Sequence, residues 1–224
     1  VYKRQPVLRT VLVTRVGSAP EGTARFDDLL GSEPAGADAA RAASSDVCQI
    51  LFTSGTTAKP KGVMVTHANA LWSGLRMSTA QGLEPTDRCL TALPLFHVNG
   101  QSVTVLAALT AGATVVLLER FEAERYLDQV RAHRATQTSV VAAVAKALLG
   151  TPARADDAAH GLRRFAYSIN IADHEKEELE KRFGVALLNI YGLSEACETV
   201  TMSPLHGQQR WTSVGLPPQD RRVR

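Results

Sequence analysis

Residues 52–62 read Phe-Thr-Ser-Gly-Thr-Thr-Ala-Lys-Pro-Lys-Gly, and this stretch decides the fold more than any other. It continues the apolar run Val47–Phe52, which predicts a buried strand. Gly55 and Gly62 allow a ligand to approach the backbone closely. Hydroxyls and amino groups add donors and charge, namely Thr53, Ser54, Thr56, Thr57, Lys61 and, as the weaker candidate, Lys59. Because ligands of α/β sheets bind at the carboxyl ends of strands, we predict a phosphate-binding loop here.

This loop is not a Walker A loop. Position 60, five residues after Gly55, is proline, and no Gly-Lys-Ser/Thr triplet follows it. A cluster of Gly, Thr and Ser is also typical of a plain polar turn between a strand and a helix. Composition therefore leaves both interpretations open, and only the order of the residues separates them.

Strand and helix patterns alternate along the chain. Apolar and β-branched runs predict strands at Leu8–Thr14, Val47–Phe52, Arg88–Leu93, Thr114–Leu118, Arg164–Ile169 and Ala186–Ile190. Helical periodicity predicts one helix after Thr66, with Ala68, Leu71, Trp72 and Leu75 on one face, and further helices at Asn99–Leu109, Glu122–Arg134, Val140–Leu149 and Ala172–Phe183. This rhythm predicts an α/β fold with mainly parallel sheets covered by helices.

Composition also predicts the domain organisation. Residues 31–46 are small and polar without a period, which indicates a linker. We therefore expect residues 6–46 to be the end of an N-terminal subdomain plus linker, and residues 47–224 to be a partial core domain. Residues 1–5, Val-Tyr-Lys-Arg-Gln, resemble a translated adaptor scar and do not enter the fold prediction. A start at Val1 and an end on a turn-rich run favour an incomplete chain.

The bulk properties exclude several classes. With 45% hydrophobic and 21% charged residues, the 224-residue chain has the composition of a soluble globular protein. A net charge of +3 without a dense Lys/Arg run argues against a nucleic-acid partner. No apolar run is long enough to span a membrane, and no signal-peptide pattern is present. The cysteines at 48, 89 and 197 are odd in number and widely spaced, which favours a reducing cytoplasm.

Two further motifs follow the loop. Residues 94–100 read PLFHVNG, and residues 191–195 read YGLSE directly after a predicted strand. In the second motif, the Tyr191 ring can stack on a base, the Ser194 hydroxyl can bind a phosphate, and the Glu195 carboxylate can bind Mg²⁺. Residues 211–217, WTSVGLP, follow in the same order along the chain. No Ser-His-Asp or Cys-His arrangement indicates a hydrolase.

The loop, continued by ValMetValThrHis at 63–67, resembles the signature of the adenylate-forming superfamily of acyl-CoA ligases, adenylation domains and luciferases. In the family's order, PLFHVNG resembles its second motif, YGLSE resembles its Tyr-Gly-x-Thr-Glu motif and WTSVGLP resembles its Ser-Val-Gly-x-Pro landmark. Ala58 stands where the family usually has Gly, and Ser194 where it has Thr. Residues 167–172, 182–188 and 210–211 are similar to the crotonobetaine/carnitine-CoA ligase branch, whose members also lack a Gly-rich stretch before the charged helix.

The resemblance implies roles for individual residues. Glu195 and Thr53 would bind Mg²⁺, Lys61 would contact the leaving phosphates, and His97 would border the acyl pocket and move with the catalytic state. The implied catalytic set is Thr53, Lys61, His97 and Glu195. The implied nucleotide-binding set is Thr53, Ser54, Gly55, Thr56, Thr57, Lys61, Gly62, Asn189, Tyr191, Gly192 and Ser194.

The implied reaction uses ATP, Mg²⁺ and coenzyme A to convert a carnitine-like or other short acid to an acyl-adenylate and then to a thioester. Two alternatives stay open: an adenylation domain that loads a carrier protein, and a non-catalytic nucleotide-binding remnant. The family's ribose-binding Asp, hinge and C-terminal domain with its catalytic Lys are absent from this sequence. We therefore expect the chain, as given, to be inactive by itself.

Overall fold

A computed structural model of the protein describes residues 12–30, 41–53, 60–168, 171–211, 213–218 and 222–223. The chain divides into two units, Val1–Ala42 and Ala43–Arg224. In the first unit, β1 (Leu12–Val13) pairs in parallel with β2 (Ala24–Arg25), and a 3-10 turn follows at Asp27–Leu29. The predicted strand Leu8–Thr14 is confirmed at Leu12–Val13, whereas Thr14 lies beyond the end of β1 and residues 1–11 lie outside the described part. The predicted domain boundaries stay a prediction.

A six-stranded sheet organises the second unit, with strand order β10-β9-β8-β7-β5-β6. Its strands are β5 (Arg88–Thr91), β6 (Thr114–Leu117), β7 (Gln137–Val141), β8 (Arg164–Ser168), β9 (Ala186–Leu193) and β10 (Glu198–Met202). Neighbouring strands from β6 to β9 run parallel, and β10 joins β9 in antiparallel orientation at the edge. The mainly parallel sheet that the alternating pattern predicted is confirmed.

Helices cover both faces of this sheet. They are α1 (His67–Gln81), a π-helical segment (Asn99–Leu106) that continues into α2 (Ala107–Ala111), α3 (Ala123–Ala132), α4 (Ala142–Leu149) and α5 (Asp173–Phe183). Local signals fix the ends of α1, because Thr66 forms a capping box with Asn69 and the helix stops at Gly82 with a φ of 57°. In α3, Tyr126, Leu127 and Val130 are buried as predicted.

Two apolar clusters lie on the sheet. In the larger, α3, α4 and α5 pack on strand residues such as Leu90, Phe165 and Leu187. In the smaller, Met77 of α1 packs with Val103 of the π-helical segment and Ile190 of β9. Burial of these side chains is the main force that holds the helices on the sheet. Among the residues that the structure describes, no helix has the length and apolarity needed to cross a membrane.

The strand before the phosphate loop does not belong to this sheet. β3 (Val47–Thr53) pairs with β4 (Lys61–Thr66) as a separate antiparallel hairpin. The prediction of a buried strand was therefore wrong: Leu51 is buried, but Ile50 and Phe52 are 55% and 76% exposed. An apolar run alone does not distinguish a central parallel strand from a hairpin strand, because the partner strand is set elsewhere in the sequence.

The prediction of which face of α1 is buried was also wrong. Leu71, Trp72 and Leu75 are exposed, whereas the buried residues of α1 are Ser73, Gly74, Met77, Ser78 and Gln81. A Cβ atom at Gly74 would lie 2.5 Å from Thr110 Oγ1 and 2.8 Å from the Leu106 carbonyl. The small residues thus allow α1 to pack closely on its neighbouring helices, and this close packing selects the face.

Four of the strands that the structure describes, β2, β4, β7 and β10, were missed. β7 occupies the start of the helix predicted at Val140, and that helix begins at Ala142 instead. Polar residues at 137–139 hid β7, although all three are buried. Their hydroxyls are satisfied inside the fold, for example by the bond from Thr138 to the Leu90 carbonyl at 2.9 Å.

Candidate active site

The PLFHVNG motif forms a tight bend between β5 and the π-helical segment. The backbone N–H of His97 donates to the Pro94 carbonyl at 3.1 Å, and that of Asn99 donates to Nδ1 of His97 at 3.1 Å. Because Nδ1 accepts this bond, a neutral His97 carries its proton on Nε2. Gly100 is required by the bend, since a Cβ atom there would lie 2.7 Å from the Pro94 carbonyl oxygen.

The YGLSE motif lies partly inside a strand. Tyr191 to Leu193 are the last residues of β9 and pair with β10, and Ser194–Ala196 form a 3-10 turn. The predicted end of this strand at Ile190 was therefore three residues too early. Tyr191 is 46% exposed, which leaves its ring open to stack on a planar ligand.

The two motifs meet in a cavity of about 390 Å³ at the carboxyl edge of the parallel sheet. The cavity is lined by His97, Val98, Asn99, Val141, Ser168, Ile190, Tyr191, Gly192, Leu193 and Ser194. Four of the predicted site residues thus face one space, although nearly a hundred positions separate His97 from Ser194. This volume suits a small organic ligand.

An apolar cluster joins the hairpin to this cavity. Leu51 and Val65 of the hairpin pack with Val98, which also lines the cavity, and Cys197 packs against the same cluster. The Ser73 hydroxyl of α1 donates to the Cys197 carbonyl at 3.0 Å and fixes the turn that carries Glu195. The β3–β4 hairpin, the cavity wall and the turn that carries Glu195 are therefore held together by one set of contacts.

Two side chains fit a magnesium ion that is bound together with a nucleotide. The Thr53 hydroxyl is buried and has no hydrogen-bond partner among the described residues. Glu195 is exposed on its turn. Within the same described residues, no group of three His, Cys, Asp or Glu side chains could hold a metal alone. A single carboxylate and hydroxyl suit Mg²⁺, which takes its other ligands from phosphates and water. Their pairing stays a prediction.

The hairpin positions the remaining loop residues. Lys61 and Gly62 begin β4, opposite Thr53 and Phe52 of β3, and Lys61 is exposed. The loop between them, including Ser54, Gly55, Thr56, Thr57, Ala58 and Lys59, lies outside the described residues. We predicted that a strand of the parallel sheet runs into the loop. This prediction was wrong, because the loop connects the two antiparallel strands β3 and β4.

Asn189 has a different environment from the other predicted site residues. It is buried, it is not among the residues that line the cavity, and its Nδ2 donates to the Ser213 carbonyl at 3.3 Å. Its own carbonyl accepts from the Ser203 backbone at 2.8 Å. The first bond holds β9 to the WTSVGLP segment, and the second holds it to the residue that follows β10. A role of Asn189 in nucleotide binding stays a prediction.

The WTSVGLP segment is fixed against the edge strand β10. Met202 and Leu216 exchange two backbone hydrogen bonds, of 2.9 and 2.8 Å, and the Thr201 hydroxyl donates to the Val214 carbonyl at 2.7 Å. The Trp211 ring packs on Tyr167 with 5.8 Å between centroids. Burial, and secondarily the nearby Glu175, raise the pKa of the Tyr167 phenol, so this ring stays neutral.

Several cavity residues escaped the sequence analysis. Val141 and its neighbour Ser139 belong to β7, which the sequence did not reveal. Asn99 was part of a quoted motif but had no assigned role. Asn99 is 3% exposed, and a buried amide needs polar partners, so its environment in the structure rather than the sequence marks this position.

The geometry is that of an α/β domain whose ligand cavity lies at the carboxyl edge of a parallel sheet. The chain matches the model of the AMP-binding enzyme family over residues 2–224, and it belongs to that family. It is 36% identical over 210 residues to crotonobetaine/carnitine–CoA ligase of Shigella dysenteriae serotype 1, and equally to that of Escherichia coli K12. These matches cover 93% of the chain and 41% of each relative, so the chain spans about two fifths of their length.

Solved structures agree with this assignment. The o-succinylbenzoate CoA synthetase of Bacillus subtilis, in complex with its acyl-adenylate intermediate, superposes with a TM-score of 0.73 at 28% identity over 88% of the chain and 40% of that protein. The anthranilate CoA ligase AuaEII, in complex with anthranoyl-AMP, gives a TM-score of 0.83 over 96% of the chain and 42% of that protein. At 22% identity, this match shows only that the two proteins share a fold.

Proposed function

We propose that the chain is part of an ATP-dependent acid–CoA ligase that forms an acyl-adenylate and then a coenzyme A thioester. The observation that carries this proposal is the single cavity lined by His97 and by Tyr191, Gly192 and Ser194, anchored to the hairpin of the phosphate loop. The names of two relatives, which are CoA ligases for carnitine and for o-succinylbenzoate, support it.

In the first step, an oxygen of the substrate carboxylate attacks the α-phosphorus of ATP. The bond from this phosphorus to the bridging oxygen breaks, and pyrophosphate leaves with the electron pair. Such a reaction depends on positioning and on neutralising charge more than on proton transfer. Lys61 and the loop hydroxyls would hold the phosphates that leave.

The cavity residues would orient the adenylate. Tyr191 stacks on the adenine, the Ser194 hydroxyl binds the α-phosphate, and Nε2 of His97 offers a hydrogen bond to the reacting groups. Glu195 and Thr53 would hold Mg²⁺, which offsets phosphate charge when it is bound. In the second step, the coenzyme A thiolate attacks the acyl carbon and AMP leaves.

The proposal extends to location and domains. Cys48, Cys89 and Cys197 form no disulfide, which suits a cytoplasmic enzyme that works with a thiol cofactor. We assign residues 47–224 to the nucleotide- and acid-binding core, and residues 6–46 to the end of a preceding subdomain.

Acid-dependent exchange of labelled pyrophosphate into ATP tests the first step on the full-length protein. We expect exchange with at least one acid from a panel of short acids that includes trimethylammonium acids. Glu195→Gln should lower it about 100-fold, because a charge that neutralises the phosphates is lost. Glu178→Gln, at an exposed position on α5, is the matched control. Binding of ATP without exchange for any acid would favour a non-catalytic nucleotide-binding protein.

The thiol acceptor requires a separate measurement. We expect AMP release to increase when coenzyme A is added and a thioester of coenzyme A to appear in the mass spectrum. Exchange that proceeds normally, with no transfer to coenzyme A but transfer to a phosphopantetheinyl carrier protein, would reassign the chain to the adenylation domains.

A further inference from the structure

Three polar side chains form a hydrogen-bonded row that ends at the cavity. The Ser139 hydroxyl of β7 lies 2.7 Å from Oδ1 of Asn99, and Nδ2 of Asn99 lies 2.9 Å from the Ser168 hydroxyl at the end of β8. Ser139 and Asn99 are each 3% exposed and Ser168 is half-buried, and of the three Asn99 and Ser168 line the cavity. The row therefore connects the protein interior to the ligand space.

The chemistry of the amide gives this row a direction. An amide oxygen only accepts hydrogen bonds and an amide nitrogen only donates them. Ser139 must therefore donate its proton to Asn99, and Ser168 must accept from Asn99 with a lone pair. The proton of the Ser168 hydroxyl has no acceptor among the described residues. Ser168 thus ends the row as a donor that is available to a ligand.

The two residues that flank Ser168 on the neighbouring strands are apolar. Val141, Ser168 and Ile190 stand side by side in register on β7, β8 and β9, and all three line the cavity. One donor is therefore placed between two aliphatic side chains. Such a surface binds a hydrocarbon chain that carries one oxygen, because the methylene groups meet aliphatic walls and the oxygen meets the donor.

The position along β9 indicates which part of the substrate meets Ser168. The α-phosphate site is assigned to Ser194, which lies four residues beyond Ile190, the register partner of Ser168. At about 3.3 Å per extended residue, the Cα atoms of Ile190 and Ser194 lie at most about 13 Å apart. A carboxylate that reacts near Ser194 therefore extends its acyl chain, rather than its charged end, toward Ser168.

We propose that Ser168 donates a hydrogen bond to an oxygen on the acyl chain, and that the site prefers short acids with a hydroxyl, oxo or ether oxygen over plain alkyl acids. Asn99 and Ser139 are positioning residues, because they act by orienting the Ser168 hydroxyl. This inference rests on the proposed function. A plain alkyl chain would leave the donor without a partner, which is the basis of discrimination in sites built to bind a polar group.

The test is pyrophosphate exchange by the full-length enzyme with butanoate and with its 3-hydroxy and 4-hydroxy derivatives. We expect kcat/KM to be at least about tenfold higher for one of the hydroxy acids than for butanoate. Ser168→Ala should abolish this preference, because kcat/KM falls more for the preferred hydroxy acid than for butanoate. Ser139→Ala should weaken the preference less, again with the larger loss for the hydroxy acid. Ser78→Ala, a buried serine of α1 outside the cavity, should leave the preference intact.

The activity with butanoate shows whether each variant is folded. An equal loss for hydroxy and plain acids in Ser168→Ala would overturn the inference, because the hydroxyl would then serve the carboxylate or the fold. A preference that survives in Ser168→Ala would overturn it as well, as would a wild-type preference for butanoate. Exchange with plain acids alone leaves the proposed function standing, whereas absence of exchange with every acid of the wider panel contradicts the proposed function itself.

Discussion

The guanidinium of Arg182 donates from Nε to a carboxylate oxygen of Asp157 at 2.7 Å and ties α5 to the segment before β8. The two side chains are only 12% and 4% exposed. The remaining donors of Arg182 bind the carbonyls of Leu148, Leu149 and Pro152 and the hydroxyl of Thr151. The buried guanidinium of Arg182 thus links α4, the loop that follows it and α5.

Replacement of Arg182 should strongly lower the free energy of unfolding. Arg182→Met leaves the Asp157 charge and several carbonyls without their partner, so we expect a loss of about 3–5 kcal/mol in the free energy of unfolding. Lys181→Met, at the exposed neighbouring position, should change it by less than about 0.5 kcal/mol. Urea unfolding of the full-length protein measures both. Equal effects of the two variants would show that the ion pair is not needed for stability.

The same pair predicts a dependence of stability on pH. Burial raises the pKa of Asp157, but the Arg154 backbone N–H and the Arg182 guanidinium outweigh it, so the net pKa lies below its ordinary value. The unfolded chain therefore binds the proton more readily, and the stabilisation is present above the ordinary carboxyl pKa of about 4 and lost as the pH falls through the folded pKa.

Unfolding free energies of wild type and Asp157→Asn, measured from pH 7 to pH 3, check this dependence. The gap between the two proteins should be largest near neutral pH and should shrink below about pH 4. Glu178 is an exposed carboxyl on α5, so Glu178→Gln is the control. Its unfolding free energy should stay close to that of wild type at every pH. A gap for Asp157→Asn that is constant over the whole range would contradict the assignment.

Gly215 should not tolerate a side chain. Its φ is +89°, and a Cβ atom there would overlap the Met202 carbonyl, which accepts a hydrogen bond from Leu216. We expect Gly215→Ala to cost about 2 kcal/mol or more and to remove hydrogen-exchange protection at Leu216. Gly207 has a φ of +94° with no atom within 4 Å of its Cβ position, so Gly207→Ala isolates the backbone cost of about 1 kcal/mol. Similar losses for the two variants would argue against the clash.

The cysteines should differ in reactivity. Burial, and then the nearby Asp87, raise the pKa of the Cys89 thiol to about 12, partly offset by Arg163. At pH 8 its thiolate fraction is then on the order of 10⁻⁴, so it should resist alkylation until the protein unfolds. Cys48 is exposed and should be modified in the native protein. Peptide mapping after iodoacetamide treatment at pH 8 measures both, and rapid native labelling of Cys89 would contradict its burial.

The sequence predicted best what depends on short stretches of chain. Thr66 and Gly82 mark the two ends of α1, because an N-cap and a left-handed C-cap glycine each act within one turn of the helix. The parallel sheet followed from the alternating pattern, and the order of the three motifs identified the family. The cavity residues at His97 and 191–194 followed from the motifs as well. These signals are local, so they can be read without knowing which elements meet.

Predictions that depend on packing between distant elements failed. The buried face of α1 was misassigned because Gly74 packs on Leu106 and Thr110, which the periodicity of α1 does not reveal. The strand β3 was placed in the wrong sheet because its partner is β4 rather than a strand of the central sheet. Strand β7 was missed because its polar residues find their partners at Leu90 and Asn99.

The sequence by itself thus determined the family, the α/β class and the cavity-lining residues of the PLFHVNG and YGLSE motifs, since each motif encodes its own bend, turn or strand end. Only the tertiary structure decided that the loop lies on a hairpin and that Ser168 ends a directed row of hydrogen bonds. The links of that row join positions 40 and 69 residues apart, Ser139 to Asn99 and Asn99 to Ser168. Such contacts arise only when the parallel strands assemble and place their carboxyl ends at one edge of the sheet.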